Sequence, residues 1–231
     1  MVRSLLRRLF LYTLILVAVS VLLVLMFRWV PPPGSMVMVE RKVESWMDGK
    51  PIDLQREWRP WNELPDNLKM SVVAGEDQHF GQHWGFDMEA IRKAFSHNEA
   101  GGSLRGASTI SQQTAKNLFL WTGRSWVRKG FEAWFTLLIE TLWPKQRILE
   151  VYLNSVEWGS GVFGAEAAAQ YHFGIGAPYL SDRQASLLAA TLPNPRGWSP
   201  SHPSAYVSRR ANWIRQQVRQ LGGSDYLLHM R

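Results

Sequence analysis

The sequence predicts a mainly α-helical domain carried behind one membrane-spanning helix, and three observations predict it. An uncharged apolar run occupies the N-terminus, apolar residues further on recur at spacings of three and four, and period-two alternation is scarce. The run Leu9–Phe27 is apolar except for Tyr12, Thr13 and Ser20. At about 1.5 Å per helical residue it comes close to the roughly 30 Å of a hydrocarbon core. Arg7 and Arg8 precede it, Arg28 and Trp29 follow it, and Pro31-Pro32-Pro33-Gly34 ends it. The rival reading, a cleaved signal peptide, lacks its short apolar core and its small-residue cleavage site. Residues 1–30 are therefore expected to be a cytoplasmic N-terminus and a single uncleaved anchor. The rest of the chain, from about residue 40 on, is expected outside the cytoplasm.

Residues 31–60 read as a linker and a short extended lead-in, with Asp48-Gly49-Lys50-Pro51 as a turn. The remainder, 61–225, reads as one domain. Val127, Phe131, Trp134, Phe135, Leu138 and Leu142 mark one face of a helix, with Ser125 as its N-cap and Pro144 as its stop. A second helix is expected to carry Pro144 in its first turn and to bury Ile148, Leu149, Tyr152 and Leu153. Further helices are predicted at 66–76, 87–97, 108–120, 163–171, 181–191 and 204–221.

Charge and composition narrow the function. The chain carries 26 basic and 19 acidic residues, a net +7. Arg3, Arg7, Arg8 and Arg28 sit in the first thirty residues without an acid, and without those four the excess falls to +3. The positive balance is thus largely topological, no Arg/Lys-rich run follows residue 30, and no nucleic-acid partner is expected. With no Cys, thiol nucleophiles, disulfides and Cys-based metal sites are excluded. Twelve Trp suit a membrane interface, a binding groove or a core alike.

Three stretches can carry chemistry. Glu76-Asp77-Gln78-His79-Phe80-Gly81-Gln82-His83-Trp84-Gly85 follows the apolar Val72-Val73-Ala74. A carboxylate ending an apolar helix is partly desolvated, which raises its pKa toward values useful for proton transfer; the same pair also reads as a solvated helix end. His79 and His83 stand four apart, but no glutamate lies between them as in a zinc-protease helix, and no metal ligand set is predicted. The second stretch joins Gly101-Gly102-Ser103 to Gly106-Ala107-Ser108-Thr109-Ile110-Ser111-Gln112-Gln113. Its small residues admit a ligand close to the backbone and its amides suit sugar hydroxyls, or it is a loop before a capped helix. The third sets Arg128-Lys129 one turn from Glu132, with Lys116 nearby in sequence. This is a phosphate-binding cation group or an exposed salt bridge.

Taken together, these stretches resemble the peptidoglycan glycosyltransferases of family 51, in the family's order over most of residues 60–200. Glu76–Gly85 fits ED-x-x-F-x-x-H-x-G, and Gly106–Gln113 fits G-A-S-T-I-T-Q-Q with Ser111 where Thr is usual. Thr114-Ala115-Lys116-Asn117-Leu118 continues that motif. Arg128–Glu132 fits R-K-x-x-E, Lys145–Asn154 fits K-x-x-I-L-E-x-Y-L-N, and Gly161–Gly174 is similar to the next block. With Arg231 close behind this region, a monofunctional member without a transpeptidase domain is expected.

The resemblance implies a lysozyme-like glycosyltransferase domain with a small membrane-proximal jaw. It implies lipid II and a lipid-linked glycan chain as substrates, the membrane as a partner, and proteins of cell division or cell-wall synthesis as companions. It makes Glu76 the general base and Glu132 the second catalytic glutamate, acting at the donor site or through a divalent cation (Mg or Mn). Lys116, Arg128 and Lys129 would receive the diphosphate. Asp77, Phe80, His83, Ser108, Gln112, Gln113 and Asn117 would complete the substrate site. The rivals are a lysozyme-like lytic transglycosylase or hydrolase, which needs no such cations, and a non-catalytic membrane-anchored scaffold.

Overall fold

The computed structural model describes residues 2–99, 108–123 and 125–230. The glycines 101, 102 and 106, with Ser103 and Ala107, lie outside the described residues. The chain opens with α1 (Val2–Phe27), which is long and apolar enough to cross a membrane. Most of its side chains are exposed, while Ser20, Val24 and Phe27 near its end are buried against the domain.

Residues 36–47 are not extended but form α2 (Met36–Met47), capped by Ser35, whose side chain accepts from Met38 N. Met36, Val39, Val43 and Trp46 share one stripe of this helix and are exposed, while Val37 and Met38 pack inward. The four charges of Glu40-Arg41-Lys42-Glu44 hide that period when the segment is read for polarity alone. The extended part of the lead-in is the stretch around β1 (Gln55–Arg56).

The predicted helices follow with small shifts at their ends. They are α3 (Asp66–Glu76), α4 (Met88–Glu99), α5 (Ile110–Phe119), α6 (Trp126–Leu142) and α7 (Lys145–Ser155). Ser125 caps α6 as expected, its side chain accepting from Arg128 N. Pro144 precedes α7 in extended conformation as its N-cap instead of filling the first helical position. The hairpin β2 (Glu157–Gly159) and β3 (Val162–Phe163) then pairs in parallel with β1, Gln55 opposite Val162. Phe163 is therefore strand, and the predicted helix 163–171 starts two residues later as α8 (Ala165–Phe173). The chain closes with α9 (Asp182–Thr191), α10 (Ala205–Gln220) and the short α11 (Asp225–Leu228).

Two helix groups flank a central pillar. α3 packs with α9, α10 and α11, while α2 and α6 pack on α5 and α1 packs on α6. The pillar is α7, in which every residue from Arg147 to Ser155 is buried. A helix buried all round must satisfy its own polar groups. Glu150 accepts from Trp61 N at 3.0 Å, and Asn154 Nδ2 donates to Arg59 O at 2.8 Å. Arg147 donates to Phe27 O through Nε and Nη2 at 3.0 and 2.9 Å and to Val30 O at 2.9 Å, and pairs with Glu150 at 2.8 Å. Those bonds fasten the end of the anchor to the core. Trp143 Nε1 adds one to Val24 O at 2.7 Å, and Trp134 Nε1 another to Ser20 Oγ at 3.1 Å.

Candidate active site

α3 is an apolar helix whose Leu68, Met70, Val72, Val73 and Ala74 are buried, and it ends on Glu76. Ending there leaves the carboxylate at the core's edge, with a side chain 12% exposed. Burial pushes the Glu76 pKa up. A hydrogen bond from Gln113 and the charge of Arg210 oppose that push, Asp77 adds to it, Lys116 opposes it, and the net direction is upward.

Asp77 breaks the helix and turns its own carboxylate inward. Its Oδ2 accepts from Ile110 N at 3.0 Å, capping the first turn of α5, and both its oxygens lie near His83 Nε2, at 2.9 and 3.1 Å. Gln112 belongs to the same frame: it completes a capping box with Thr109 and is 5% exposed. Phe80 is fully buried, and the Lys145 ammonium lies 4.6 Å from its ring centroid. Lys145 also donates to His83 O and pairs with Glu140, both at 2.7 Å, and the buried Ser111 hydroxyl donates to Glu140. The hydroxyl that Ser111 retains is thus the part of a threonine this network uses.

The sequence reading puts Asp77, Phe80, His83 and Gln112 at the substrate. In the structure Phe80 and Gln112 are buried, Asp77 borders the groove, and His83 lines a cavity with Trp84 and Glu140. Gly85 closes the frame with φ +76°, and a Cβ there would stand 2.5 Å from Thr136 Cγ2 on α6, so a side chain would force the first motif off that helix.

This frame fixes the register of α5, and its neighbouring residues then face the cleft. Gln113 Nε2 donates to Glu76 Oε2 at 3.0 Å. Lys116, one turn on, shares that side. Burial pulls the Lys116 pKa down; the charge of Glu132 opposes it, Arg128 and Lys129 reinforce it, and Glu76 opposes it. Lys116 therefore stands in the field of both carboxylates at once. Among the described residues it forms no direct ion pair.

Across the cleft, Glu132 on α6 is 3% exposed. It accepts from Arg128 Nη1 at 2.6 Å and from Lys129 Nζ. Three cations around one carboxylate leave a local excess of two positive charges, and among the described residues the buried Arg128 Nε has no hydrogen-bond partner. Ser125, Trp126, Arg128 and Lys129 line an open cavity of about 380 Å³ at the start of α6. A groove of about 220 Å³ runs past Glu76, Ser108, Thr109, His79 and Asp87. Asn117 is half-buried on α5.

Sequence reasoning missed Arg210. Its Nη2 lies 3.5 Å from Glu76 Oε1 and donates to Gly75 O at 3.2 Å. Helix 204–221 was legible, but nothing local marks which face of it meets a residue 134 positions earlier. Tyr152, which falls inside a quoted motif, is fully buried, and its hydroxyl donates to Gln113 Oε1 at 3.1 Å.

His79 and His83 do not share a helix face. They lie in turns after α3, and His79 Nδ1 lies 2.9 Å from Asp87 Oδ2. Among the described residues no cluster of three or more His, Asp or Glu side chains could hold a metal ion. Glu132 already gives both oxygens to Arg128 and Lys129, so the donor set does not fit a divalent ion there.

The apolar run beside the site divides. Leu118 and Leu120 are core, and Phe119 stacks on Phe135 at 4.4 Å, whereas Trp121 and Trp126 are exposed.

Comparison with known proteins meets this geometry from outside. Residues 45–219 match the family model described as Transglycosylase. The chain is similar to the "Biosynthetic peptidoglycan transglycosylase" of Stutzerimonas stutzeri strain A1501, 71% identical over 231 residues, 100% of this chain and 96% of the relative. It is 70% identical to the protein of the same name from Pseudomonas aeruginosa strain PAO1 over 230 residues, covering 100% of this chain and 99% of the relative. A third, from Pseudomonas fluorescens strain Pf0-1, is 73% identical over 209 residues, 90% and 87% of the two chains.

Proposed function

The chain belongs to the transglycosylase family, and on that premise we propose that it polymerises peptidoglycan glycan chains from lipid II, with Glu76 as general base. It is a peptidoglycan glycosyltransferase. The acceptor is lipid II and the donor is the growing chain on its lipid diphosphate. Glu76 removes the proton from the acceptor's 4-hydroxyl as that oxygen attacks the donor's anomeric carbon. The new C–O bond forms on the face opposite the diphosphate, the bond from that carbon to the diphosphate oxygen breaks, and the configuration inverts to β-1,4. The electron pair leaves with undecaprenyl diphosphate, and the proton passes from Glu76 to solvent.

A diphosphate leaving group already carries charge, so it needs cations fixed in advance more than an acid. Lys116, Arg128 and Lys129 supply them. Glu132 holds Arg128 and Lys129 in place and keeps them from spreading by mutual repulsion. Desolvation makes the Glu76 carboxylate more basic than an exposed one, which suits it to accept a hydroxyl proton.

One observation carries the reading: Lys116 is a half-buried residue of α5, one turn from the Gln113 that bonds Glu76, and α5 packs on the α6 that carries Arg128, Lys129 and Glu132. α1 crosses the inner membrane with the N-terminus in the cytoplasm, and the domain works in the periplasm. The exposed stripe of α2, with Trp121 and Trp126, rests at the lipid interface beside prenyl-anchored substrates. Anchoring enzyme and substrates in one plane raises their effective concentration.

The test is to give the full chain lipid II in one reaction and intact glycan strands in another. Glycan polymer from lipid II and unchanged strands are expected. Shortened strands with unpolymerised lipid II would establish a lytic enzyme instead.

A further inference from the structure

The base does not stand on its own contacts, because the group that bonds it is itself held from behind. Gln113 has an amide whose two ends differ: Nε2 can only donate and Oε1 can only accept. Nε2 meets two acceptors, Glu76 Oε2 at 3.0 Å and Ser108 O at 3.5 Å. Oε1 meets one donor, the Tyr152 hydroxyl at 3.1 Å. Rotating the amide by half a turn would set a carbonyl oxygen against the carboxylate. That state becomes favourable only when Glu76 carries a proton to donate, which is the state in which it is no base.

We propose that Tyr152 is a positioning residue for the reaction: its hydroxyl, donating to Oε1, tethers the Gln113 amide so that its NH₂, the end selected by the charge of Glu76, stays against that carboxylate. This rests on Glu76 being the base. Tyr152 reaches Gln113 from the buried pillar α7, where its ring has no freedom to follow a rotating amide. Burial keeps its hydroxyl protonated well above the usual tyrosine range, so the donor is present wherever the enzyme works.

The charged groups that face Glu76 are Asp77 beside it, Lys116 from α5 and Arg210 from α10. None of them touches the Tyr152 hydroxyl. Removing that hydroxyl therefore acts on Glu76 through Gln113. The hydrogen bond from Gln113 favours the charged carboxylate, so its loss raises the pH at which Glu76 becomes a base.

The experiment measures kcat/KM for lipid II against pH with the full chain in detergent. It compares wild type, Tyr152→Phe, Gln113→Leu and the double variant, with Glu76→Gln in the same series. Tyr152→Phe is expected to move the acid limb up by about one pH unit, with the loss growing as the pH falls. In the Gln113→Leu background the same change is expected to move the limb no further.

An acid limb that coincides with wild type, a loss equal at every pH, or a full additional shift in the double variant each overturns the proposal. Tyr152→Leu is a second donor-free variant should the phenylalanine chain not fold. An inactive Glu76→Gln beside an unmoved Tyr152→Phe limb removes only the role of Tyr152. A fully active Glu76→Gln removes the base assignment itself.

Discussion

At the scale of single residues, the site is built from groups the fold would prefer uncharged. Burial raises the pKa of Glu76 and lowers that of Lys116, so both charges are held against desolvation. The consequence for stability has a definite sign. Below the ordinary glutamate pKa, near 4.3, Glu76 is protonated in both the folded and unfolded chain and costs nothing. As the pH rises toward its higher folded value the unfolded chain ionises first, and the fold loses stability through that window. Glu76→Gln is therefore expected to raise the melting temperature at neutral pH, by roughly 2–4 °C per kcal/mol recovered, and to leave it unchanged near pH 4. Differential scanning calorimetry at the two pH values checks this, and equal shifts at both would show the carboxylate to be relaxed. The carboxylate, the cations and Gln113 were legible because each lies in a short motif. Arg210 was not, since its role comes from the packing of α10 on α3. Nor was the burial of Phe80 and Gln112, which motif position cannot distinguish from contact with substrate.

At the scale of elements, α7 does most of the organising. Its apolar face was plain from Ile148, Leu149, Tyr152 and Leu153. The role of its polar face was not, because Arg147, Glu150 and Asn154 are satisfied by backbone groups far away in sequence. Arg147→Met would leave Glu150 without its partner and free the carbonyls of Phe27 and Val30. Breaking a buried pair of this kind costs about 3 kcal/mol or more, or roughly 6–12 °C for a domain of this size. Thermal melts of the full chain measure it, and a loss below about 1 kcal/mol would mean the anchor's end is held by other contacts. α2 escaped the sequence reading for a related reason. Its stripe of Met36, Val39, Val43 and Trp46 is exposed, so its period carries no core signal and its charges dominate. Helix ends, by contrast, followed cap and proline chemistry to within two or three residues.

At the scale of the whole molecule, a base on one side of a cleft and cations on the other are brought together by one helix between them. α5 is set in register by Asp77 and Thr109, and the same register sends Gln113 to Glu76 and Lys116 toward Glu132. The end of α1 joins this assembly through hydrogen bonds from Trp134, Trp143 and Arg147. A lytic enzyme releasing a sugar hydroxyl would gain nothing from an excess of two positive charges beside its base, whereas a diphosphate requires it. The union of the two charge sets is the central claim, and the rate of lipid II polymerisation by Glu76→Gln and by Lys116→Met tests it most directly. With both variants folded, each is expected to fall at least about 100-fold below wild type. A Lys116→Met enzyme within about threefold of wild type, beside an inactive Glu76→Gln, would contradict the claim that the cations on α5 and α6 serve the same reaction as the base.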